Sequence, residues 1–458
     1  MTSGVHEIAT RQISATAASP DLSIKTLGSA RITSPLATQL DSRQTTQHYV
    51  DEGDRVLLDD TLSMVCGRNH LLSDLPSFEP AGPRRQIFFD PVKTRAGIVT
   101  CGGLCPGLND VIRGLVRNLT NHYGVRRIVG FRNGYQGFIA SYQHDVMELT
   151  ADSVQDINVD GGTVLGTSRG PQDPDEIVDC LERLGINILF VIGGDGTMRG
   201  AMRVAQVIDQ RGARIAVVGV PKTIDNDIPY LDQSFGFQTA FSRASESIHA
   251  VTVEAKSTAH GVGLVKLMGR HCGFIACYAA LARTDADVVL IPEVAFQLDG
   301  ERGVLNYVQR RVRERGYAVV VVAEGAGQEL FDGEYAVRDA SGNAGLRDIG
   351  QLLRRRLAEH FAAAGIEACI RYIDPSYAIR SVPANPYDSV YCVRLAQAAV
   401  HAAMSGRTEM VVGRWRRRFV HLPMALAVSK RNEVDPHGDL WLSVLEATGQ
   451  PREWQAVR

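Results

Sequence analysis

Two acidic clusters have the residue types and the spacing that a phosphate reaction needs. Asp195 lies in residues 193–197 (GGDGT), and the pair Asp225 and Asp227 lies in residues 221–227 (PKTIDND). Glycines let the backbone approach a ligand closely, and N–H groups at a helix N-terminus favour anions. A carboxylate there would repel a phosphate by about 4 kcal/mol, for unit charges ~4 Å apart at an effective dielectric near 20. Mg²⁺ removes that conflict, because it binds one or two carboxylates together with substrate phosphates.

The spacing of the second cluster favours phosphoryl transfer. If the segment is extended, alternate residues face one way, so Thr223, Asp225 and Asp227 would point into one cleft. One carboxylate could take the proton of an attacking hydroxyl, the other could support the metal, and Lys222 could hold phosphate charge. Each string also has a structural alternative, since GGDGT can be a glycine turn that only packs and an isolated DND can close a strand.

Two glycine-containing loops elsewhere could cradle phosphates. Residues 101–109 (CGGLCPGLN) repeat the order of strand, glycines and helix. Residues 161–170 (GGTVLGTSRG) add Arg169, a natural partner for a nucleotide phosphate. Each loop is a weak signal by itself.

Short apolar runs precede these turns, and stretches with helical spacing follow them. Apolar runs without alternation are typical of strands buried on both faces, and their alternation with helices indicates a parallel sheet. In such sheets ligands bind at the carboxyl ends of the strands, where these Gly and Asp residues fall. Helices are expected at about residues 109–121 and from the GGDGT turn to about residue 210. The predicted strands are residues 96–100, 187–192, 215–220, 262–267, 288–291 and 318–323.

Residues 1–92 differ from the rest of the chain. They are rich in Ser, Thr, Ala and Gln, contain few strand-like runs, and end in stretches with Pro76, Pro80 and Pro83. This composition indicates an N-terminal extension with some helix and a linker-like end. We interpret it as a partly ordered arm in preference to a catalytic element.

The composition excludes several classes of protein. The 458 residues carry a formal net charge of −2, so no basic field points to a nucleic acid or a membrane surface. Glu7 and Arg11 stand where a signal peptide would need an apolar core. Eight Cys in an α/β pattern indicate reduced thiols, and the pair Cys101 and Cys105 lacks a matching zinc-like pair. We therefore expect a cytoplasmic globular protein with no nucleic-acid or membrane partner.

Taken together and in this order, the four segments resemble the phosphofructokinase family. Further strings agree with its substrate-side motifs over about residues 95–423: residues 268–270 (MGR), 291–293 (IPE), 324–325 (EG) and 371–388 (RYIDPSYAIRSVPANPYD). The resemblance implies an α/β fold of two similar three-layer domains with mainly parallel sheets, plus the N-terminal extension. A linear division gives the extension (1–92), a nucleotide-binding domain (93–236), a sugar-phosphate-binding domain (237–376) and a return segment with the tail (377–458).

The resemblance also implies a reaction, in which the γ-phosphoryl group of ATP passes to the 1-hydroxyl of fructose 6-phosphate. Asp225 would be the general base that deprotonates this hydroxyl, and Thr223 and Arg270 would complete the catalytic set. Asp195 would bind Mg²⁺, with Asp227 nearby and acting through water. Fructose 6-phosphate and ATP would be the partners of a homo-oligomer, a dimer or tetramer, that responds to a small-molecule effector.

The remaining site residues implied by the resemblance form an ATP side and a sugar side. A sugar phosphate dianion needs several arginines, although the two in residues 371–380 could instead be surface salt-bridge partners. The ATP side would consist of Gly102, Arg169, Gly170, Gly194, Asp195, Gly196 and Thr197. The sugar side would consist of Thr223, Ile224, Asp225, Met268, Gly269, Arg270, Glu324, Arg371, Tyr377 and Arg380.

The phosphoryl donor depends on Gly196 and Lys222. Pyrophosphate-dependent members of the family usually have Asp at the first position and Lys at the second. An Asp there would put a carboxylate where the α-phosphate of ATP must lie, whereas Gly196 leaves that space open. Lys222 fits pyrophosphate and also fits the plant and trypanosomatid ATP-using branch, which the chain resembles in its extension and in DPSYAIR. We expect ATP, with a pyrophosphate-dependent phosphofructokinase as the alternative.

The sequence departs from the common bacterial ATP enzymes at three positions. Those enzymes have a His in the place of Tyr377, a Gly in the place of Lys222, and an Arg from the neighbouring subunit in the place of Gly261. Two other classes fit less well. A GGDGT kinase acting on NAD or a lipid would not need TIDND and MGR, and a non-catalytic regulatory subunit would be expected to lack Asp195, Asp225 or Arg270.

A basic cluster near the C-terminus has two interpretations. It consists of Arg414, Arg416, Arg417 and Arg418 around Trp415. A solvated or interface face is the favoured interpretation, and an anionic effector pocket is the alternative.

Overall fold

Two large sheets, each covered by helices, form the centre of the fold. The inner strands of the larger sheet and all strands of the smaller sheet are parallel. The computed structural model describes residues 20–36, 49–62, 65, 75–331 and 345–454. The strands in the described residues are β1 (Lys25–Thr26), β2 (Ile32–Thr33), β3 (Val56–Leu57), β4 (Ser77–Pro80), β5 (Gln86–Ile87), β6 (Arg95–Thr100), β7 (Arg127–Phe131), β8 (Met147–Glu148), β9 (Ile188–Gly193), β10 (Ala216–Pro221), β11 (Gly261–Leu267), β12 (Val288–Leu290), β13 (Tyr317–Ala323), β14 (Cys369–Ile373), β15 (Arg407–Thr408), β16 (Met410–Trp415) and β17 (Arg418–Pro423).

The α-helices follow the strands in alternation along most of the chain. They are α1 (Leu108–Asn118), α2 (Pro174–Arg183), α3 (Asp195–Gln210), α4 (Phe237–Lys256), α5 (Phe274–Arg283), α6 (Val304–Arg315), α7 (Ile349–Ala363), α8 (Ser376–Arg380), α9 (Pro386–Met404), α10 (Met424–Ala427) and α11 (Asp439–Thr448). No helix among the described residues is long and apolar enough to cross a membrane.

The larger sheet has nine strands in the order β3-β4-β17-β16-β10-β9-β6-β7-β8. Its five inner strands, from β16 to β7, pair in parallel, whereas β17, β4, β3 and β8 are antiparallel at the two edges. The smaller sheet, β12-β13-β11-β14, is parallel throughout. Because β16 pairs with β10, the chain returns to the larger sheet after it has completed the smaller one.

Helices cover both faces of each sheet, so each sheet is the middle of three layers. Apolar residues of α1 and α9 pack on one face of the larger sheet, and those of α2 and α3 pack on the other. The smaller sheet lies between α4 with α5 and α6 with α7. β9 and β10 are buried along their whole length, which explains their unbroken apolar sequences. The predicted α/β fold class and all six predicted strands are confirmed.

The N-terminal extension contributes short strands where the sequence predicts a linker-like end. β4 pairs with β17 and β3 pairs with β4, so this segment extends the larger sheet. β1 pairs with β15, and β2 pairs with β5. Strands of two to four residues are too short to show a hydrophobic period. Other parts of the extension, including residues 1–19, lie outside the described residues.

A buried charge cluster fastens the extension to the C-terminal strands. Glu79 Oε1 accepts hydrogen bonds from His421 (2.8 Å), from Arg84 (2.9 Å) and from Arg407 (2.8 Å). Burial raises the pKa of Glu79, but hydrogen bonds and charge from His421 and Arg407 outweigh burial and lower the pKa to about 2. Since the folded pKa lies below the unfolded one, this stabilisation is complete above about pH 4.5 and is lost as the pH falls toward 2.

Replacing Glu79→Gln should destabilise the protein strongly. Arg84 is 2% exposed and Arg407 is 5% exposed, so the variant leaves two buried guanidinium groups without this carboxylate. The expected loss is about 3–5 kcal/mol of unfolding free energy. Glu246→Gln is the control, because its side chain is 63% exposed and, within the described part of the chain, its ion pair is with Arg243 on the same helix. Denaturant unfolding at pH 7 measures both, and equal stability of the two variants would contradict the role of the cluster.

Candidate active site

Three of the predicted site loops follow the carboxyl ends of β6, β9 and β10, and these strand ends form one edge of the larger sheet. β9 and β10 are parallel neighbours in which Gly193 lies opposite Pro221, the last residue of each strand. β6 lies on the other side of β9 and ends with Thr100 opposite Ile192. The loops that carry Gly102, Asp195 and Asp225 therefore begin beside one another.

The GGDGT turn joins β9 to α3. α3 begins at Asp195, so the N–H groups of its first turn lie at the sheet edge. A Cβ atom on Gly193 would come within 2.4 Å of the Thr197 side chain, which explains the glycine there. A Cβ atom on Gly196 would meet no described atom within 4 Å. The turn therefore has open space at the position that the sequence analysis assigns to donor choice.

Lys222 connects three of the loops at this edge. Its side chain is 7% exposed and donates to the carbonyl oxygen of Gly103 at 2.5 Å. Its backbone N–H donates to the carbonyl oxygen of Gly193 at 2.9 Å. Burial lowers the pKa of Lys222, and the charges of Arg169 and Arg380 lower it further. Arg169 and Arg380, from two separate segments, therefore each lie within electrostatic reach of Lys222.

The loop of residues 161–170 packs against the loop that follows β6. Thr167 Oγ1 donates to the Gly102 carbonyl oxygen at 2.7 Å, and the Gly102 N–H donates to the Ser168 carbonyl oxygen at 3.1 Å. A Cβ atom on Gly103 would lie 3.6 Å from the Arg169 guanidinium. The two loops thus hold Arg169 over the glycines of the first.

The TIDND segment is a hydrogen-bonded turn and not the extended strand that its spacing suggests. Asn226 has a left-handed backbone (φ 61°), and its side-chain oxygen accepts from the Ser234 N–H at 2.8 Å. Thr223 Oγ1 donates to Asp227 Oδ1 at 2.7 Å and accepts from the Asp225 N–H at 3.2 Å. The condition of an extended segment is therefore not met at Asn226, but Thr223 still contacts both acidic residues.

Asp225 carries the most perturbed carboxyl group of this edge. Its Oδ1 is buried and has no hydrogen-bond partner among the described residues. Burial, followed by the negative charges of Asp227 and Glu324, raises the pKa of Asp225 to about 8. A hydrogen bond from the Arg270 backbone opposes that rise. A buried acceptor with an open lone pair and a raised pKa suits a general base.

The sugar-side motifs at residues 268–270 and 324–325 directly follow the neighbouring strands β11 and β13. The Glu324 N–H donates to the Leu267 carbonyl oxygen at 2.8 Å, and the Gly325 N–H donates to that of Gly269 at 3.1 Å. A Cβ atom on Gly325 would lie 1.9 Å from the Arg270 carbonyl oxygen, so only glycine fits there. Burial raises the pKa of Glu324, while the charges of nearby cations lower it.

The two predicted phosphate-binding arginines lie in different surroundings. Arg380 of α8 stacks 4.8 Å from the ring centroid of Tyr377, which is 75% exposed, and its charge reaches Lys222 and Glu324. Arg371 of β14 instead forms an ion pair of 3.5 Å with Glu254 of α4, and both side chains are about half exposed. The structure therefore brings Arg380 to the cleft and gives Arg371 the surface salt bridge that the sequence analysis left as an alternative.

Asp195 lies at the mouth of the cleft. Its side chain is 48% exposed, and its Oδ1 accepts from Arg199 Nε at 3.1 Å. Among the described ranges, no group of three or more His, Cys, Asp or Glu side chains could enclose a metal ion. A Mg²⁺ ion that binds one or two carboxylates and takes its other ligands from phosphates and water does not need such a cage. Asp195 therefore fits a metal that arrives with a polyphosphate.

The sequence analysis missed one contributor to this edge, the segment of residues 428–434. The Asn432 N–H donates to the Asp227 carbonyl oxygen at 2.7 Å, and Arg199 Nη2 donates to the Val428 carbonyl oxygen at 2.6 Å. The segment contains neither a glycine turn nor a repeated acidic pattern, so nothing in its residue types signals a site.

The four C-terminal arginines do not converge on a common pocket. Arg416 and Arg417 form the turn between β16 and β17, with φ of 48° and 67°. Arg416 pairs with Asp59 and Asp60 of the extension, whereas Arg414 donates to Gln233 at 2.9 Å. This arrangement favours the interface or solvated face over an effector pocket at these residues.

Comparisons with known proteins identify the family of the chain. The family model described as "Phosphofructokinase" matches residues 95–403. An ATP-dependent 6-phosphofructokinase of Amycolatopsis methanolica is 60% identical over 95% of this chain and 96% of its own length. The ATP-dependent 6-phosphofructokinase 7 of Arabidopsis thaliana is 47% identical over 82% of this chain and 77% of its own length.

A solved structure supports the fold. The pyrophosphate-dependent phosphofructokinase of Marinobacter aquaeolei superposes with a TM-score of 0.63, covering 78% of this chain and 91% of the other, at 22% identity. An identity this low carries information on the fold alone. The family model and the close relatives span most of the sequence, and the chain belongs to the phosphofructokinase family.

Proposed function

We infer that this chain is an ATP-dependent 6-phosphofructokinase. It transfers the γ-phosphoryl group of ATP to the 1-hydroxyl of fructose 6-phosphate and forms fructose 1,6-bisphosphate and ADP, a reaction of glycolysis. The observation that carries this inference is the buried, unpartnered Oδ1 of Asp225 at the strand edge that also holds the GGDGT turn. The names of the relatives in Amycolatopsis methanolica and Arabidopsis thaliana support ATP as the donor.

Asp225 acts as the general base of the transfer. It accepts the proton of the sugar 1-hydroxyl, whose oxygen then bonds to the γ-phosphorus while the bond from that phosphorus to the β-phosphate oxygen of ATP breaks. The raised pKa of the Asp225 carboxyl makes it a stronger base than an ordinary carboxylate. Thr223 hydrogen-bonds to the backbone of Asp225 and to the side chain of Asp227, so it holds the base in place.

Three cations offset the charge of the two phosphorylated substrates. Lys222, Arg169 and Arg380 come from separate segments, and the charges of Arg169 and Arg380 both reach Lys222. Phosphoryl transfer depends mainly on positioning and on charge stabilisation, which fixed cations provide. We assign Lys222 and Arg169 to the donor phosphates and Arg380 to the sugar phosphate, with Met268, Gly269, Arg270 and Glu324 on the sugar side.

We propose that Mg²⁺ accompanies ATP and that Asp195 binds it, with Asp227 near it through water. When bound, the ion neutralises charge on the β- and γ-phosphates of the donor. Asp195 has room to bind because its carboxylate is half exposed, and Arg199 keeps it oriented. The side chain of Asp227 already accepts a hydrogen bond from Thr223, which fits an outer position.

We also propose the cellular setting and the assembly. The seven cysteines in the described ranges are all free thiols, which supports a cytoplasmic location. Membership of the family supports a homo-oligomer, a dimer or tetramer, that responds to a small-molecule effector. The geometry of the C-terminal arginines gives no support for placing the effector there.

The variant Asp225→Asn should lose catalysis without losing its sugar substrate. It removes the proton acceptor but keeps the size of the side chain, so we expect kcat to fall by about 10²–10⁴-fold with little change in the KM for fructose 6-phosphate. Steady-state kinetics measure both constants. Asp179→Asn, an exposed acid paired with Arg211, is the control and should keep wild-type rates. Near-normal turnover of Asp225→Asn would remove Asp225 from the role of base.

The variant Gly196→Asp should exclude ATP. A Cβ atom at Gly196 meets open space, and the added carboxylate would lie next to the donor phosphates. Like charges ~4 Å apart cost about 4 kcal/mol at an effective dielectric near 20, so kcat/KM for ATP should fall by about 10³-fold.

The assay measures formation of fructose 1,6-bisphosphate with ATP and, separately, with pyrophosphate. Gly53→Asp is the control, because a Cβ atom there also meets open space and the residue lies in the N-terminal extension. Full ATP turnover by Gly196→Asp would contradict this account of the donor pocket. Faster turnover of the wild-type chain with pyrophosphate than with ATP would favour the alternative donor.

A further inference from the structure

Residues 428–434, which we call the strap, cross the cleft after α10. They lie beyond residues 95–403, the part that matches the family model, and beyond the motifs that the sequence analysis uses. Residues that follow strands of both sheets form hydrogen bonds with the strap.

Three backbone groups of the strap form hydrogen bonds with residues on the two sides of the cleft. At its start, the Val428 carbonyl oxygen accepts from Arg199 Nη2 at 2.6 Å, and the Nε of the same guanidinium donates to Asp195 at 3.1 Å. In its middle, the Asn432 N–H donates to the Asp227 carbonyl oxygen at 2.7 Å. These two contacts tie the strap to the GGDGT helix and to the TIDND turn.

The third contact belongs to the sugar-side sheet. The Val434 N–H donates to Glu293 Oε1 at 2.9 Å, and the same oxygen accepts from the Gly273 N–H at 2.9 Å. Glu293 follows β12, and Gly273 precedes α5. The strap therefore spans from the nucleotide side of the cleft to its sugar side.

Arg431 lies between the first and the middle of these contacts. It directly precedes Asn432, whose N–H is bonded to Asp227, so its backbone is fixed beside the acidic pair. The charge of Arg431 lowers the pKa of Asp225 and the pKa of His271, which is next to Arg270, so Arg431 lies near both. Its neighbour Lys430 faces elsewhere, 5.1 Å from the ring centroid of Tyr230.

We propose that the strap positions Arg431 as a further charge-bearing residue of the active site, beside the Asp225 and Asp227 pair. The proposal rests on the proposed kinase function and adds a residue to it. Two carboxylates and a donor polyphosphate bring several negative charges together at this edge. A cation on a strap that three hydrogen bonds hold offsets that charge and so eases approach of the γ-phosphate to the sugar hydroxyl.

The test compares Arg431→Gln with Arg431→Lys in the full-length enzyme. We expect Arg431→Gln to lower kcat by about tenfold or more, with the KM for fructose 6-phosphate and the melting temperature close to wild type. Arg431→Lys keeps the charge and should recover most of the lost rate. Arg452→Gln is the control, because it removes the same charge from an exposed residue near the C-terminus that contacts His437 and not the strap.

Two results would overturn the proposal. One is a kcat of Arg431→Gln within twofold of wild type. The other is an equal loss in Arg431→Lys and Arg431→Gln together with a lowered melting temperature, which would indicate a structural role. Activity of the wild-type enzyme with ATP and fructose 6-phosphate is measured in the same series, so failure of the kinase function would be recognised separately.

Discussion

The active site depends on one unfavourable arrangement, a carboxyl oxygen buried without a hydrogen-bond partner beside other acids. Asp225 Oδ1 is in this state, and the charges of Asp227 and Glu324 add to the effect of burial. An unsatisfied buried polar group costs about 1–3 kcal/mol, so the surrounding structure must hold it in place. Groups with strongly shifted pKa values are concentrated at functional sites, and an ionised carboxylate with a raised pKa binds a proton more tightly than an ordinary one.

The fold maintains this arrangement by bringing rigid elements to one edge. The parallel pairing of β9 and β10 sets the GGDGT and TIDND turns side by side, and Thr223 and Asn226 fix the second turn from within. Lys222 then ties these turns to the loop after β6. The strap (residues 428–434) completes this edge, because it forms hydrogen bonds with both sides of the cleft.

The sequence predicts the parts of this architecture that follow from local pattern. Strands buried on both faces have unbroken apolar sequences, so β9 and β10 were predictable, as were the glycine turns at their ends. The left-handed turn at Asn226 was not, because alternate spacing alone cannot distinguish a strand from a hydrogen-bonded turn. The pairing of Arg371 with Glu254 and the electrostatic effect of Arg431 on Asp225 join residues far apart in the chain, and single-sequence patterns carry no information on them.

The most direct test of the central claim is a crystal structure of the enzyme with fructose 6-phosphate and a non-hydrolysable ATP analogue. The measured quantity is the distance from the sugar 1-hydroxyl oxygen to the Asp225 carboxylate. Our account predicts a hydrogen bond of about 2.6–3.2 Å, with the γ-phosphate analogue on the other side of that hydroxyl. A complex in which the hydroxyl bonds to another residue, and the Asp225 oxygen stays buried away from it, would contradict the account.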